Sequence, residues 1–209
     1  MNYKIKRTNR KTLAISIVDG EVIVRSPHLV PVDIIEGFLE SKRDWIEGKL
    51  KSYRPVGLDL TQDTLRYLGR DIKIKRHISS KFFVDIAQDM NIYVPKGMSD
   101  ELIIKKTEAY LKSILEKYIE SRIIYYAKLL QIKIPPFKIR RYKRIHGRCS
   151  SKHELAFNLY LYHENLDFID YVVLHECAHI LEFNHSSRFY DIIYKHMPNY
   201  KEIIHLNKA

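Results

Sequence analysis

Cysteine is scarce in this chain: Cys149 and Cys177 are the two among 209 residues. That is too few for a disulfide framework. A reducing compartment, the cytoplasm, is therefore the expected location. Long apolar runs are missing as well. No segment approaches the roughly 18 consecutive apolar residues that a membrane-spanning helix needs, so no membrane partner is expected. The opening Met1-Asn2-Tyr3-Lys4 is charged and has no apolar stretch behind it, so no signal peptide is read there. Low-complexity segments and fixed-period repeats are also lacking. Acidic residues are in deficit: 25 against 36 lysines and arginines, a net charge of +11. Such an excess favours acidic partners such as nucleic acid or acidic peptides, and it says nothing about fold.

What is present divides by period. Leu13, Ile15 and Ile17 alternate with polar or small residues, Asp19-Gly20 follows, and Val22-Ile23-Val24 comes next. An Asp-Gly between two such runs is a hairpin signal. From 32 to 53 the spacing changes to threes and fours through Ile34, Ile35, Phe38, Trp45, Ile46 and Leu50, which predicts one amphipathic helix. Short strands are expected at 65–68, 72–74, 82–86 and 92–94, and Pro95-Lys96-Gly97 is a natural break. Ser99 is a candidate cap for a helix running to about Leu130. Strands are expected over 137–142 and 155–162, and helices over 167–183, 186–195 and 201–206. The organisation is α+β, with a β-rich region at 1–97 and a helical region at 98–209 that holds a small antiparallel sheet.

The chemistry lies in His175-Glu176-Cys177-Ala178-His179, followed by His185. On a helix, residues i and i+4 stand one above the other, so His175 and His179 can direct imidazoles at one ion. Glu176 lies about 100° around the helix, beside such an ion rather than on it, where a carboxylate can act as general base toward water. At this chain's own His and Glu frequencies, a His-Glu-x-x-His match arises by chance with a probability of roughly 0.03; the third histidine lowers that to roughly 0.001–0.002. His185 can join the site only if the chain turns after about Phe183, and otherwise it caps or supports it. Asn184 and Ser186 suit such a turn. Three neutral imidazoles plus water make an open catalytic zinc site, with one Zn2+ per chain. The pattern predicts a metal-dependent hydrolase.

Other residues carry weaker signals. Asp170 and Glu182 are candidates to orient a ligand imidazole, against the plainer reading of solvated helix charges. His153, His163, His196 and His205 read as surface or structural histidines. Cys149 reads as a small buried residue, with a latent metal-blocking thiolate as the alternative. Candidates to face the substrate, by residue type and nearness in sequence, are His146, Arg148, Tyr190 and Tyr194.

Several stretches together resemble one family. They are Gly147-Arg148-Cys149-Ser150-Ser151-Lys152, Leu159, the run from Ile169 to His179, and Asn184-His185-Ser186-Ser187-Arg188-Phe189-Tyr190. With Arg7 to Thr12, Val24-Arg25-Ser26-Pro27 and Lys42 to Ile46, they are similar to the YgjP-like metallopeptidases of the zincin group, and more distantly to SprT-like proteases. The resemblance implies a zincin-like catalytic part, His185 as third ligand, and a peptide or protein substrate. It also shows departures: His146 stands where the family usually has Trp, and Arg148 where it has a small Ser. The segment from Lys138 to Lys152 carries seven basic residues and no acidic one. If it alternates as a strand, half of these share one face. That face could take nucleic acid, as in SprT-like enzymes, or an acidic polypeptide. A nucleic-acid-binding or nucleic-acid-recruited protein with a structural or accessory metal site is thus the rival to a zinc peptidase.

Overall fold

Alternation in the first strands gives each a single apolar edge, and pairing collects those edges on one face. The computed structural model describes residues 2–18, 20–52 and 57–207. It divides into two compact units, 1–56 and 57–209. In the first, β2 (Ala14–Val18) and β3 (Glu21–Ser26) are antiparallel, and β1 (Tyr3–Arg7) lies parallel to β3. Ile15 pairs with Val24 and Ile17 with Val22, so both couples share one side of the sheet. Asp19 of the expected turn lies outside the described residues.

The helix expected over 32–53 is two helices, α1 (Val32–Glu40) and α2 (Arg43–Ser52), and Tyr53 falls outside the described residues. At the break the Ser41 hydroxyl donates to the Phe38 carbonyl at 2.8 Å, and Lys42 N–H bonds the Leu39 carbonyl three residues back, which tightens the last turn of α1. Ile35, Leu39 and Ile46 fill the core with Val22 and Val24, while Ile34 and Trp45 stay half exposed.

The second unit begins ahead of Pro95-Lys96-Gly97, because the strands before that break share the core of the helices after it. Strands β4 (Thr64–Tyr67), β5 (Arg70–Ile78), β6 (Phe83–Ile86) and β7 (Met90–Val94) form one sheet in the order β4-β5-β7-β6. The β4–β5 turn needs left-handed backbone at Leu68 and Gly69 (φ 48 and 81). At Gly69 a side chain would also collide with Asn165, whose Cβ would lie 2.8 Å away.

Helix α3 (Asp100–Leu130) has 31 residues and a length of about 46 Å. Ser99 caps it by accepting from Leu102 N–H, and Gln131 ends it in the left-handed conformation. Ile103, Leu111, Leu115, Ile119 and Ile123 repeat at fours and eights along its buried face. They pack with Leu155, Phe157, Ile169, Val173 and Phe189 in one continuous core. No helix among the described residues is long and apolar enough to cross a membrane.

The small sheet ahead of the motif helix is mixed rather than antiparallel. β8 (Phe137–Arg140) runs parallel to β10 (Leu155–Asn158), while β9 (Gly147–Cys149) is antiparallel to it. All four β10 residues are buried, so β10 takes the centre and the other two strands flank it. Asn158 fixes the crossover between the flanks. Its amide donates to the Tyr142 and Ile145 carbonyls at 2.9 Å each and accepts from Tyr142 N–H at 3.1 Å. The same side chain accepts from Tyr160 N–H. The strand expected to reach 162 therefore gives way to a 3-10 helix at Leu159–His163.

Helices α4 (Leu166–Ala178), α5 (Ser187–His196) and α6 (Tyr200–Leu206) complete the unit. Helix α4 lies against α3. Across that contact Asp170 receives the Arg122 guanidinium through both oxygens, and Tyr126 donates to it at 2.9 Å.

Candidate metal centre

The buried face of α4 is apolar almost without interruption: Val172, Val173, Leu174, Cys177 and Ala178 are all inside. This anchors the helix so firmly that the polar residues between them have fixed directions. His175 and His179 stand one turn apart. Their Nε2 atoms are 3.2 Å from each other. The helix ends at Ala178, five residues before the expected Phe183. Ile180 and Leu181 N–H bond the Cys177 and Ala178 carbonyls, three residues back, which tightens the last turn. Ser186 N–H then bonds the Asn184 carbonyl at 2.8 Å, and the Ser186 hydroxyl caps α5 by accepting from Phe189 N–H. The double turn carries His185 back over α4, with its Nε2 3.0 Å from that of His175.

One donor atom from each of the three histidines lies within 4.8 Å of the others; among the described residues this is the group that could hold a metal ion, and it includes no fourth side chain. The geometry suits zinc. Zinc–imidazole bonds of about 2.0–2.1 Å in a tetrahedral site put ligand nitrogens about 3.3–3.4 Å apart. The observed separations of 3.0 and 3.2 Å are close to that. The far nitrogens of His175 and His179 are engaged as ligand histidines require. His179 Nδ1 donates to the Glu182 carbonyl at 3.3 Å, and His175 Nδ1 meets the Tyr171 hydroxyl at 3.2 Å. With hydrogens on Nδ1, bare lone pairs converge on one point, and a cation there relieves their repulsion. Burial, aided by the neighbouring His179 and His185, holds the His175 imidazole down at about 3, so it is neutral, as a ligand must be. Burial lowers His179 too.

The Phe189 ring, from α5, packs against all three imidazoles at centroid distances of 4.6–4.9 Å and is fully buried. The motif alone does not mark Tyr171 or Phe189 as residues of the site. Tyr171 stands four before His175, the same helical spacing that joins His175 to His179, so it was findable.

Glu176 is 5% exposed. Burial pushes its carboxyl up to about 8, while a hydrogen bond from Cys149 N–H works against the rise. A cation held by the three imidazoles would lower it further. Strand β9 runs beside it. A Cβ on Gly147 would sit 2.6 Å from Glu176 Oε1 and 2.7 Å from its Cγ, so only glycine allows this approach. Cys149 contributes its backbone rather than its sulfur. Burial raises its thiol to about 11, and its sulfur is not among the atoms gathered in the histidine cluster, so the structure does not place it as the thiolate of the latent-site alternative.

The remaining sequence candidates separate. His146 lines a cleft of about 390 Å3 together with Gly147, Glu176 and His175, whose apolar walls include Ile145, Phe168 and Ile204. Tyr190 stacks with His185 at 6.2 Å. Arg148 points away from the cleft, onto the outer face of the small sheet with Lys138 and Arg140. Tyr194 is 61% exposed and lines a separate depression on α5. Asp170 is engaged by Arg122 rather than by a ligand histidine, and Glu182 takes part through its carbonyl.

A family model described as "YgjP-like, metallopeptidase domain" matches residues 11–206. Comparison with curated proteins and with solved structures gave no match. The family match begins ahead of the first hairpin, ends within the last helix, and takes in every residue of the histidine cluster. The chain belongs to the YgjP-like metallopeptidase family.

Proposed function

We propose that the protein is a zinc peptidase in which His175, His179 and His185 hold the metal and Glu176 is the general base. The observation that carries this reading is the convergence of three imidazole nitrogens beside one buried carboxylate. Zinc in that position supplies Lewis acidity toward a carbonyl oxygen and toward water. The protein's own residues do the rest. Glu176 takes a proton from the attacking water and returns it to the departing amine. Cys149 N–H orients the carboxylate, and the missing side chain at Gly147 leaves room for it.

Strand β9 offers the way for a peptide to bind. It pairs with β10 on one side only. His146 accepts from Asn158 N–H and Ser150 donates to the Glu154 carbonyl, so the even-numbered residues face β10. The main-chain groups of Gly147 and Cys149 point to the other edge, where Glu176 is. An extended peptide added there gains main-chain hydrogen bonds and passes the carboxylate. His146 is the side chain in the cleft best suited to meet a substrate carbonyl. A purely structural site would call for a fourth protein ligand, and a buried carboxylate beside the three imidazoles supports catalysis instead. Two unpaired cysteines suit the cytoplasm.

The test is metal content per chain in protein purified without chelator, together with peptide hydrolysis. Wild type should carry one zinc, and His185→Ala should carry markedly less. Glu176→Gln should keep the zinc and lose roughly 10²–10⁴-fold in turnover. Wild-type protein that neither contains nor takes up metal would sink the reading.

A further inference from the structure

The outer face of the small sheet is basic in register. Lys138 on β8, Ala156 on β10 and Arg148 on β9 lie opposite one another across the three strands. Neighbouring strands are about 4.8 Å apart, so the two cationic stems stand about 10 Å apart over a methyl group. Arg140, two residues on from Lys138, extends the row. Lys138, Arg140, Arg148, Tyr142, Ser150 and Glu154 line a shallow depression of about 210 Å3, with Ala156 in its floor. One carboxylate, Glu154, is set against three cations. None of the three has a carboxylate within ion-pair distance among the described residues. Arg141, the next residue along, points the other way and pairs with Glu108 of α3. The alternation that gathers the unpaired charges is thus visible in the structure.

This row ends at Arg148, on the strand whose free edge lies beside Glu176. A peptide pairing with that edge alternates its side chains between the two faces of the sheet. Residues of one parity face the way Gly147 and Cys149 face, toward Glu176 and the apolar cleft of Ile145, Phe168 and Ile204. Residues of the other parity lie on the face of Arg148. A residue directly beside Arg148 has its Cβ about 5 Å away.

We infer that the substrate is an acidic extended polypeptide, read with period two: an apolar side chain enters the cleft, and its neighbour in sequence, Asp or Glu, pairs with Arg148 and the Lys138–Arg140 row. The inference rests on the peptidase reading and deepens it by naming the substrate class. A polyanionic nucleic acid would also be attracted to these charges. The peptide is favoured because the row is aligned with a strand edge and shares its register.

The test uses zinc-loaded Glu176→Gln protein, so that peptides are bound and not cut. The probes are a labelled peptide alternating leucine with glutamate and the same peptide with glutamine in place of glutamate. At low salt the glutamate peptide should bind on the order of tenfold more tightly, and the advantage should shrink as salt rises. Adding Arg148→Glu should remove or invert the preference, and adding Lys138→Glu should weaken it; both positions are exposed, so folding should survive. Equal binding of the two peptides, or a preference that Arg148→Glu leaves alone, overturns the inference. So does a single-stranded oligonucleotide that displaces the glutamate peptide and loses affinity steeply with salt. Wild-type protein separates this outcome from that of the peptidase reading. Cleavage without charge preference defeats the acidic substrate alone, whereas charge-selective binding with no cleavage of any peptide defeats the peptidase.

Discussion

A methyl group on Gly147 would lie 2.6 Å from Oε1 of Glu176 and 2.9 Å from its Cδ. Strand β9 and helix α4 therefore leave no room for a side chain where the proposed base stands. Gly147→Ala should push the carboxylate aside without touching an imidazole. Zinc content should stay at the wild-type level, while turnover falls on the order of 10²-fold, the usual cost of an ångström-scale misplacement. Zinc stoichiometry and kcat measured on the same preparation decide it. A loss of metal together with activity would mean that the glycine supports the histidine cluster instead.

Tyr171 should matter to metal affinity rather than to the chemical step. Its hydroxyl is 3.2 Å from His175 Nδ1 and fixes which nitrogen faces the ion. Removing such a partner costs roughly 10–100-fold in metal affinity. Tyr171→Phe should show this in competition with a calibrated chelator, with turnover near wild type once zinc is saturating. An unchanged affinity would leave the orientation of His175 to packing against Phe189 alone.

The histidine motif was legible because a single helix sets its spacing, and helical spacing needs no knowledge of the rest of the fold. His185 was legible as a candidate, but the point where the chain turns was not. The helix stops through backbone bonds of Ile180 and Leu181, which leave no mark on residue type. The contacts of Gly147 and Cys149 with Glu176 depend on a strand packing against a helix almost thirty positions away, and no local pattern announces them. The same holds for Arg148. Its sequence neighbourhood put it near the cleft, and strand parity sends it to the opposite face. The split of the 32–53 helix goes with a backbone bond from Lys42 to Leu39, again without a mark on residue type. The early end of the strand at Asn158 has another cause: a short polar side chain bonds nearby backbone and diverts it from its regular element.

Asp170 separates stability from the site. It stands one residue before Tyr171, yet its oxygens are engaged by Arg122 and Tyr126 of α3, with 18% and 26% of the Asp170 and Arg122 side chains exposed. Asp170→Ala would leave a partly buried guanidinium and a tyrosine hydroxyl without their acceptor. The expected cost is on the order of 2 kcal/mol in urea unfolding, with zinc affinity unchanged. A fall in zinc affinity larger than the loss of stability would return Asp170 to the role of supporting a ligand.

His163 should make the fold acid-sensitive. It follows Tyr162 at the end of the 3-10 helix, its Nε2 is buried without a hydrogen-bond partner, and burial pushes its imidazole down to about 4. In the unfolded chain the same group titrates near 6.5. As pH falls below that value the unfolded state takes up a proton first. The stability held at neutral pH is lost progressively until about pH 4, where the folded state protonates as well. A gap of roughly 2.5 units corresponds to at most about 3 kcal/mol. His163→Leu should remove this slope, so the difference in unfolding free energy between variant and wild type should move in the variant's favour between pH 7 and pH 5. His175 and Glu176 also titrate abnormally, but both chains carry them and their contributions cancel in the difference. Parallel pH profiles for the two proteins would show that the His163 ring is solvated in solution and contributes nothing to the acid response.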